Sequence, residues 1–171
     1  MKLARTIRFD ASDEHVFEQA AEEGQWAISG SFSFASLSDD QITGKVKQAF
    51  ANGFLAVPSF GHSTLVSVAR ASEEDLSQLR AALIDHFINV YGAPDAAAAG
   101  AVADDEIAFM AEICAEHKTG TLLSLQRSLT DTGIKEQFRA LAKADSCAEQ
   151  QIWQIVEEDE DDEQHITPQN T

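Results

Sequence analysis

Apolar and polar positions alternate with two periods along this chain, and the changes of period divide it into short strands and amphipathic helices. Residues 3–9 set Leu3, Ile7 and Phe9 around Arg5 and Arg8, which fits a strand with one wet face. Residues 13–23 read as a short helix. From 25 to 34, Trp26, Ile28, Phe32 and Phe34 alternate with Ala27, Ser29, Ser31 and Ser33, the period of a strand that buries an aromatic face. Ser38 with Gln41 is a capping-box pattern, and Ile42, Val46, Ala49 and Phe50 follow at helical spacing until Asn52-Gly53 stops them. Residues 64–69 (TLVSVA) are rich in β-branched side chains and read as a strand. Ser72 then caps a long helix, with Asp75 at its third position and Leu76, Leu79, Leu83, Phe87 and Val90 as its stripe. Residues 95–100 (DAAAAG) read as a linker, and 104–118 as a second helix with Ile107, Met110, Ala111 and Cys114 along one face. A strand over 121–129, a helix opening at Thr130 or Asp131 with Ile134, Phe138 and Leu141, and a strand over 151–156 complete the order.

The pattern predicts a single α+β domain over residues 1–156, with about five strands and four or five helices. It also falls into two similar helix-strand-helix-strand halves, Leu37-Ser38-Asp39 in the first answered by Leu129-Thr130-Asp131 in the second, as a duplicated unit would. Residues 157–171 begin with an unbroken acidic run and read as a disordered, solvated tail.

Composition narrows the function classes. At 171 residues and 44% hydrophobic, the chain can bury a core without disulfides or metal. Its 29 acids against 12 bases give a net charge of -17, which repels phosphate backbones and anionic lipid, so neither nucleic acid nor a membrane surface is an expected partner. The longest uncharged stretch, 48–69, holds Asn52, Gly53, Pro58 and His62 and does not read as a membrane span. Two cysteines and an N-terminal stretch without a secretory pattern give the expectation of a cytoplasmic protein with free thiols.

Candidate chemistry is sparse. Cys114 and His117 lie one helical turn apart and could share a soft metal, with His86 of the preceding helix as a third group. Against this, a structural zinc site needs four ligands, and Cys114 falls on the apolar stripe, where a thiol acts as a small hydrophobe. No Gly-x-Ser-x-Gly, GxGxxG or GxxxxGK[ST] run occurs, so no catalytic residue and no cofactor are assigned. Asp39-Asp40 and Asp104-Asp105-Glu106 stand at expected helix starts, where they complement the helix dipole. The segment 52–62 (NGFLAVPSFGH) stands out, because Phe54, Leu55, Val57 and Phe60, with His62, sit without a charge in a strongly acidic chain. If that loop is exposed it is a partner site; the alternative is that it folds inward as an irregular edge and closes the core.

Two readings follow. One is a non-enzymatic cytoplasmic interaction or accessory protein that binds an unknown protein partner or itself, with a homodimer through sheet edges as one form, its acidity steering it to a basic partner. The other is an enzyme or small-ligand or metal binder whose pocket lies between the two long helices and the sheet, lined by His86, Cys114 and His117.

The segments LARTIRFD, WAISGSFSF, VPSFGHSTLVSVARAS and LLSLQRSLTDTGIKEQFRALA resemble a family of small, uncharacterised bacterial proteins of similar length, over residue 1 to about 156. The resemblance implies no activity and carries over no functional residue. It adds one alternative, an accessory factor for a larger redox enzyme.

Overall fold

The computed structural model describes residues 1–143 and 153–156. Its elements run β1 (Lys2–Ile7), α1 (Ser12–Val16), β2 (Trp26–Ile28), two 3-10 turns (Ser31–Phe34 and Asp39–Gln41), α2 (Gly44–Asn52), β3 (Phe54–Val57), β4 (His62–Ser63), β5 (Leu65–Arg70), α3 (Glu73–Asn89), α4 (Ala96–Ala115), β6 (Leu122–Thr130), β7 (Gly133–Lys143) and β8 (Trp153–Val156). The strands form one antiparallel sheet in the order β4-β3-β2-β1-β5-β6-β7-β8. The expected mixture of helix and strand is present, but eight strands replace the expected five, and four α-helices accompany them.

Two of the added strands come from segments read otherwise. Residues 52–62 are not a loop: Phe54–Val57 is an interior strand paired with β2 on one side and β4 on the other, and all four of its residues are buried. The helix placed after Thr130 is a hairpin, with β7 returning along β6 in the register Leu125↔Phe138 and Arg127↔Glu136. Ile134 and Phe138 are four apart, a spacing that gives one face on a strand as well as on a helix, which is why the pattern misled. With that helix gone, the second half no longer repeats the first, and the duplication falls.

Other boundaries moved for local reasons. β2 stops at Ile28 because Gly30 takes φ 80°, and a Cβ there would lie 2.4 Å from Cβ of Leu55, so only glycine lets the chain turn away this close to β3. Phe32 and Phe34 therefore sit on a 3-10 turn and not on a strand. The helix expected over 13–23 ends at Val16, after which the chain bends and Ala20 forms a single parallel bridge with His62: the His62 amide donates to Gln19 O at 2.9 Å and the Ala21 amide to His62 O at 2.8 Å. The Ser38–Gln41 capping box forms, but it closes a 3-10 turn, and α2 begins only at Gly44. Residues 95–100 are no linker. Asp95 caps α4 by accepting from the Ala98 amide at 2.8 Å, and the alanines, the strongest helix formers, supply its first turns. Ser72 caps α3 as expected, with the Asp75 carboxylate returning to the Ser72 amide. Residues 151–152 of the last expected strand, Cys147 and the tail 157–171 lie outside the described residues.

Two apolar clusters result. The larger joins β1, β2, β3, β5 and β6 to α3 and α4, around Leu3, Phe54, Val66, Leu83, Met110 and Cys114. The smaller gathers Phe17, Phe34, Ile42, Ala49 and Phe50 around α2. The turn after Gly30 links them, since Phe32 packs edge-on against Phe87 in the larger cluster and Phe34 edge-on against Phe50 in the smaller.

Candidate functional site

The structure does not bring His86 to Cys114 and His117. Helices α3 and α4 form an antiparallel hairpin in which Arg80 pairs with Asp104 and Ile84 faces Gly100. His86 therefore lies near the start of α4, and Cys114 near its end, on the order of 20 Å away at 1.5 Å per residue. Among the described residues no three His, Cys, Asp or Glu side chains cluster as a metal would need. The space between the helix pair and the sheet is filled by Leu79, Leu83, Phe87, Ala103, Ile107 and Met110.

Each of these groups has its own surroundings. Cys114 is fully buried, and burial pushes its thiol up to about 11, with Lys2 opposing. A Cys147→Ala variant should accordingly show no reaction of Cys114 with a thiol reagent such as DTNB until the protein is unfolded. Labelling of the native variant at the rate of a free thiol would contradict this burial. His86 stacks on Phe60, ring centroids 3.6 Å apart, and meets Tyr91 edge-on; burial lowers its pKa, opposed by Asp85. Lys2 Nζ donates to the His117 carbonyl at 2.8 Å, just past the end of α4. The expected partner-binding set is mostly interior: Phe54, Leu55 and Val57 are strand core, while Phe60 and His62 are half-buried. The absence of charge over 52–62 reflects burial, because an interior strand excludes charge as firmly as an interface does. His62 lies beside Phe17 and Phe34, and burial, reinforced by the charge of Arg127, lowers it to about 4.

The most concentrated polar chemistry centres on Arg127, which the sequence reading passed over. It occupies an inward position of β6, in line with Leu123 and Leu125, and its side chain is wholly buried. Nε donates to Glu136 Oε2 at 3.2 Å across the hairpin. Nη1 reaches the carbonyls of Ala49, Phe50 and Gly53 at 3.3, 3.1 and 2.9 Å, which places a positive charge at the C-terminal end of α2, where the helix dipole favours one. Nη2 donates to the carbonyl and hydroxyl of Ser29, and that hydroxyl in turn donates to Glu136. The guanidinium lies 5.4 Å from the Phe34 ring centroid. Every donor of this arginine is spent on protein acceptors, so the node ties β2, β6, β7 and α2 together and offers no free hydrogen-bonding arm to a substrate. Its signal was present in the sequence, as an arginine at an inward position of the LLSLQRSL alternation.

Glu106 of α4 is the neighbour this node cannot satisfy. Burial, then Glu136 and, more weakly, Asp105 raise its pKa to about 7, and Arg127 opposes them.

The outward face of α4 is the other unusual feature. Outside Gly100, Asp104, Asp105, Glu106 and Glu112 every residue of this helix is apolar, the composition of a helix with protein on all sides. Yet Val102 is 44% and Phe109 40% exposed, two turns apart on one flank, even with the Phe109 ring edge-on to Phe138 of β7 at 5.9 Å. Ala97, Ala101, Ala108 and Ala115 are exposed on the other flank. Beside that second flank an open groove of about 520 Å³ is lined by Met1, Lys2, Ala108, Ala111, Glu112 and Ala115. No helix among the described residues is long and apolar enough to cross a membrane.

A family model described as a family of unknown function (DUF6505) matches residues 1–159. No curated protein and no solved structure matches the chain.

Proposed function

The chain belongs to the family DUF6505, whose function is unknown, and from that premise we propose that it is a non-catalytic interaction protein that engages another polypeptide through the outward face of α4. The observation that carries this reading is the exposure of Val102 and Phe109 on a helix that is apolar nearly all round. A surface helix normally turns a polar face to water, and α4 does so only through a few acids. The alanines keep that face low, so a partner's backbone can approach closely, and Phe109 supplies the large side chain that commonly anchors an interface. The Cys114 thiol is buried and lies at the opposite end of the hairpin from the His86 imidazole.

The test is in-cell photocrosslinking from this face. A benzoylphenylalanine placed at the exposed Glu116, one turn beyond Glu112 at the end of α4, is expected to give one discrete polypeptide adduct, while the same probe at the exposed Gln78 of α3 gives none. Adducts from position 78 with none from position 116 would move the interface off α4.

A further inference from the structure

We infer that the occupant of the α4 face is a polypeptide segment presenting Arg or Lys among apolar side chains, and not a second copy of this chain. The inference rests on the reading of α4 as an interaction surface and adds the chemistry of what it receives. At 100° per residue, Asp105 and Glu112 form a line along the middle of the exposed arc, between the alanine flank and the Val102–Phe109 flank. Neither makes an ion pair among the described residues, and α4 contains no basic residue. Two bases border this face. Arg80 holds Asp104 through two bonds at 2.7 and 3.2 Å, and Lys2, though it lines the groove, directs Nζ to the His117 carbonyl.

An apolar surface divided by two carboxylates selects its partner by charge. A second copy would set the same two acids against their duplicates across a two-fold axis, on molecules that each carry a net charge of -17. Like charges brought together in this way oppose association at an interface. An Arg or Lys fits both parts of the surface at once: its hydrocarbon stem can lie along the alanines while its head reaches Asp105 or Glu112.

The experiment uses the full chain and two synthetic amphipathic helical peptides with the same leucine face, one with Arg along its centre and a twin with Gln in those places. Binding is followed by fluorescence anisotropy, and sedimentation gives the oligomeric state of the chain alone. The Arg peptide is expected to bind about tenfold or more tighter than its twin, and Val102→Asp or Phe109→Asp to weaken it by about tenfold or more. Both positions are exposed, and circular dichroism verifies that each variant is folded. Each substitution adds a negative charge, so attraction by overall acidity alone would leave binding unchanged or stronger, and that result overturns the inference. A dimer that Phe109→Asp dissociates would also overturn it, while leaving α4 as an interface. Neither peptide binding nor dimer would remove both readings.

Discussion

Replacing Arg127 with Met is expected to remove about 3–5 kcal/mol of folding stability, the usual cost of breaking one side of a buried ion pair. The substitution leaves Glu136, whose side chain is 13% exposed, facing the Ser29 hydroxyl without its cation, and strips partners from carbonyls at the end of α2. Four elements meet on this one side chain, so the loss should appear as a lower urea midpoint for the whole domain and not as local fraying. Removing the second charge as well, with Glu136→Leu, should recover part of the loss, because a buried carboxylate without a counter-charge is a large part of the penalty. A single variant that loses less than about 1 kcal/mol would put Arg127 outside the structural role assigned to it.

The second large effect is a pH dependence at Glu106. Its folded-state pKa is raised from 4.5 to about 7, by burial first and then by Glu136 on β7 and Asp105 on its own helix, with Arg127 on β6 opposing. A carboxyl with a raised pKa binds more protons in the folded state than in the unfolded state. It therefore costs nothing below pH 4, and its cost grows as pH climbs through the interval and is complete above about pH 7. At about 1.36 kcal/mol per pH unit the full interval would be worth roughly 3 kcal/mol, and the solvent that reaches this half-buried group reduces that to about 1–2 kcal/mol. Glu106→Gln is thus expected to stabilise the protein by that amount at pH 8 and to leave it nearly unchanged at pH 4. Urea unfolding of both proteins across this range checks it. A variant less stable than the parent at pH 8 would show that the carboxylate form is favoured there.

Much of the fold was legible where one period dominated. The Ser72 cap and the stripe of α3 were read directly, because the cap, the acidic first turn and the Leu79–Leu83–Phe87 spacing all agree. Errors arose where two structures share a spacing. Ile134 and Phe138 fit one face of a helix or of a strand, and only the pairing partner, β6, decides between them. Residues 52–62 are uncharged for the same reason an interface is, and nothing within the segment says that β2 and β4 will cover it. For the site, position mattered more than residue type. Arg127 could have been flagged as a charge in an inward strand position, but Ser29 lies 98 residues away and Glu136 on the returning strand of a hairpin the periodicity reads as a helix, and both are identified only by the sheet. The α4 face was hidden by reading 95–100 as a linker, which shortened the helix and left Val102 outside it, while Phe109 stood off the stripe of Ile107, Met110 and Cys114.

The measurement that most directly tests whether function lies on the outside of α4 is quantitative recovery of the polypeptide crosslinked at position 116 by two sets of folded variants. One set carries Val102→Asp or Phe109→Asp. The other removes the thiol and imidazole candidates, with Cys114→Ala, His86→Ala and His117→Ala. Recovery is expected to fall about tenfold or more in the first set and to persist in the second. Retention by the first set, with loss in the second, would place the activity at the sulfur and imidazole groups and contradict the assignment to α4.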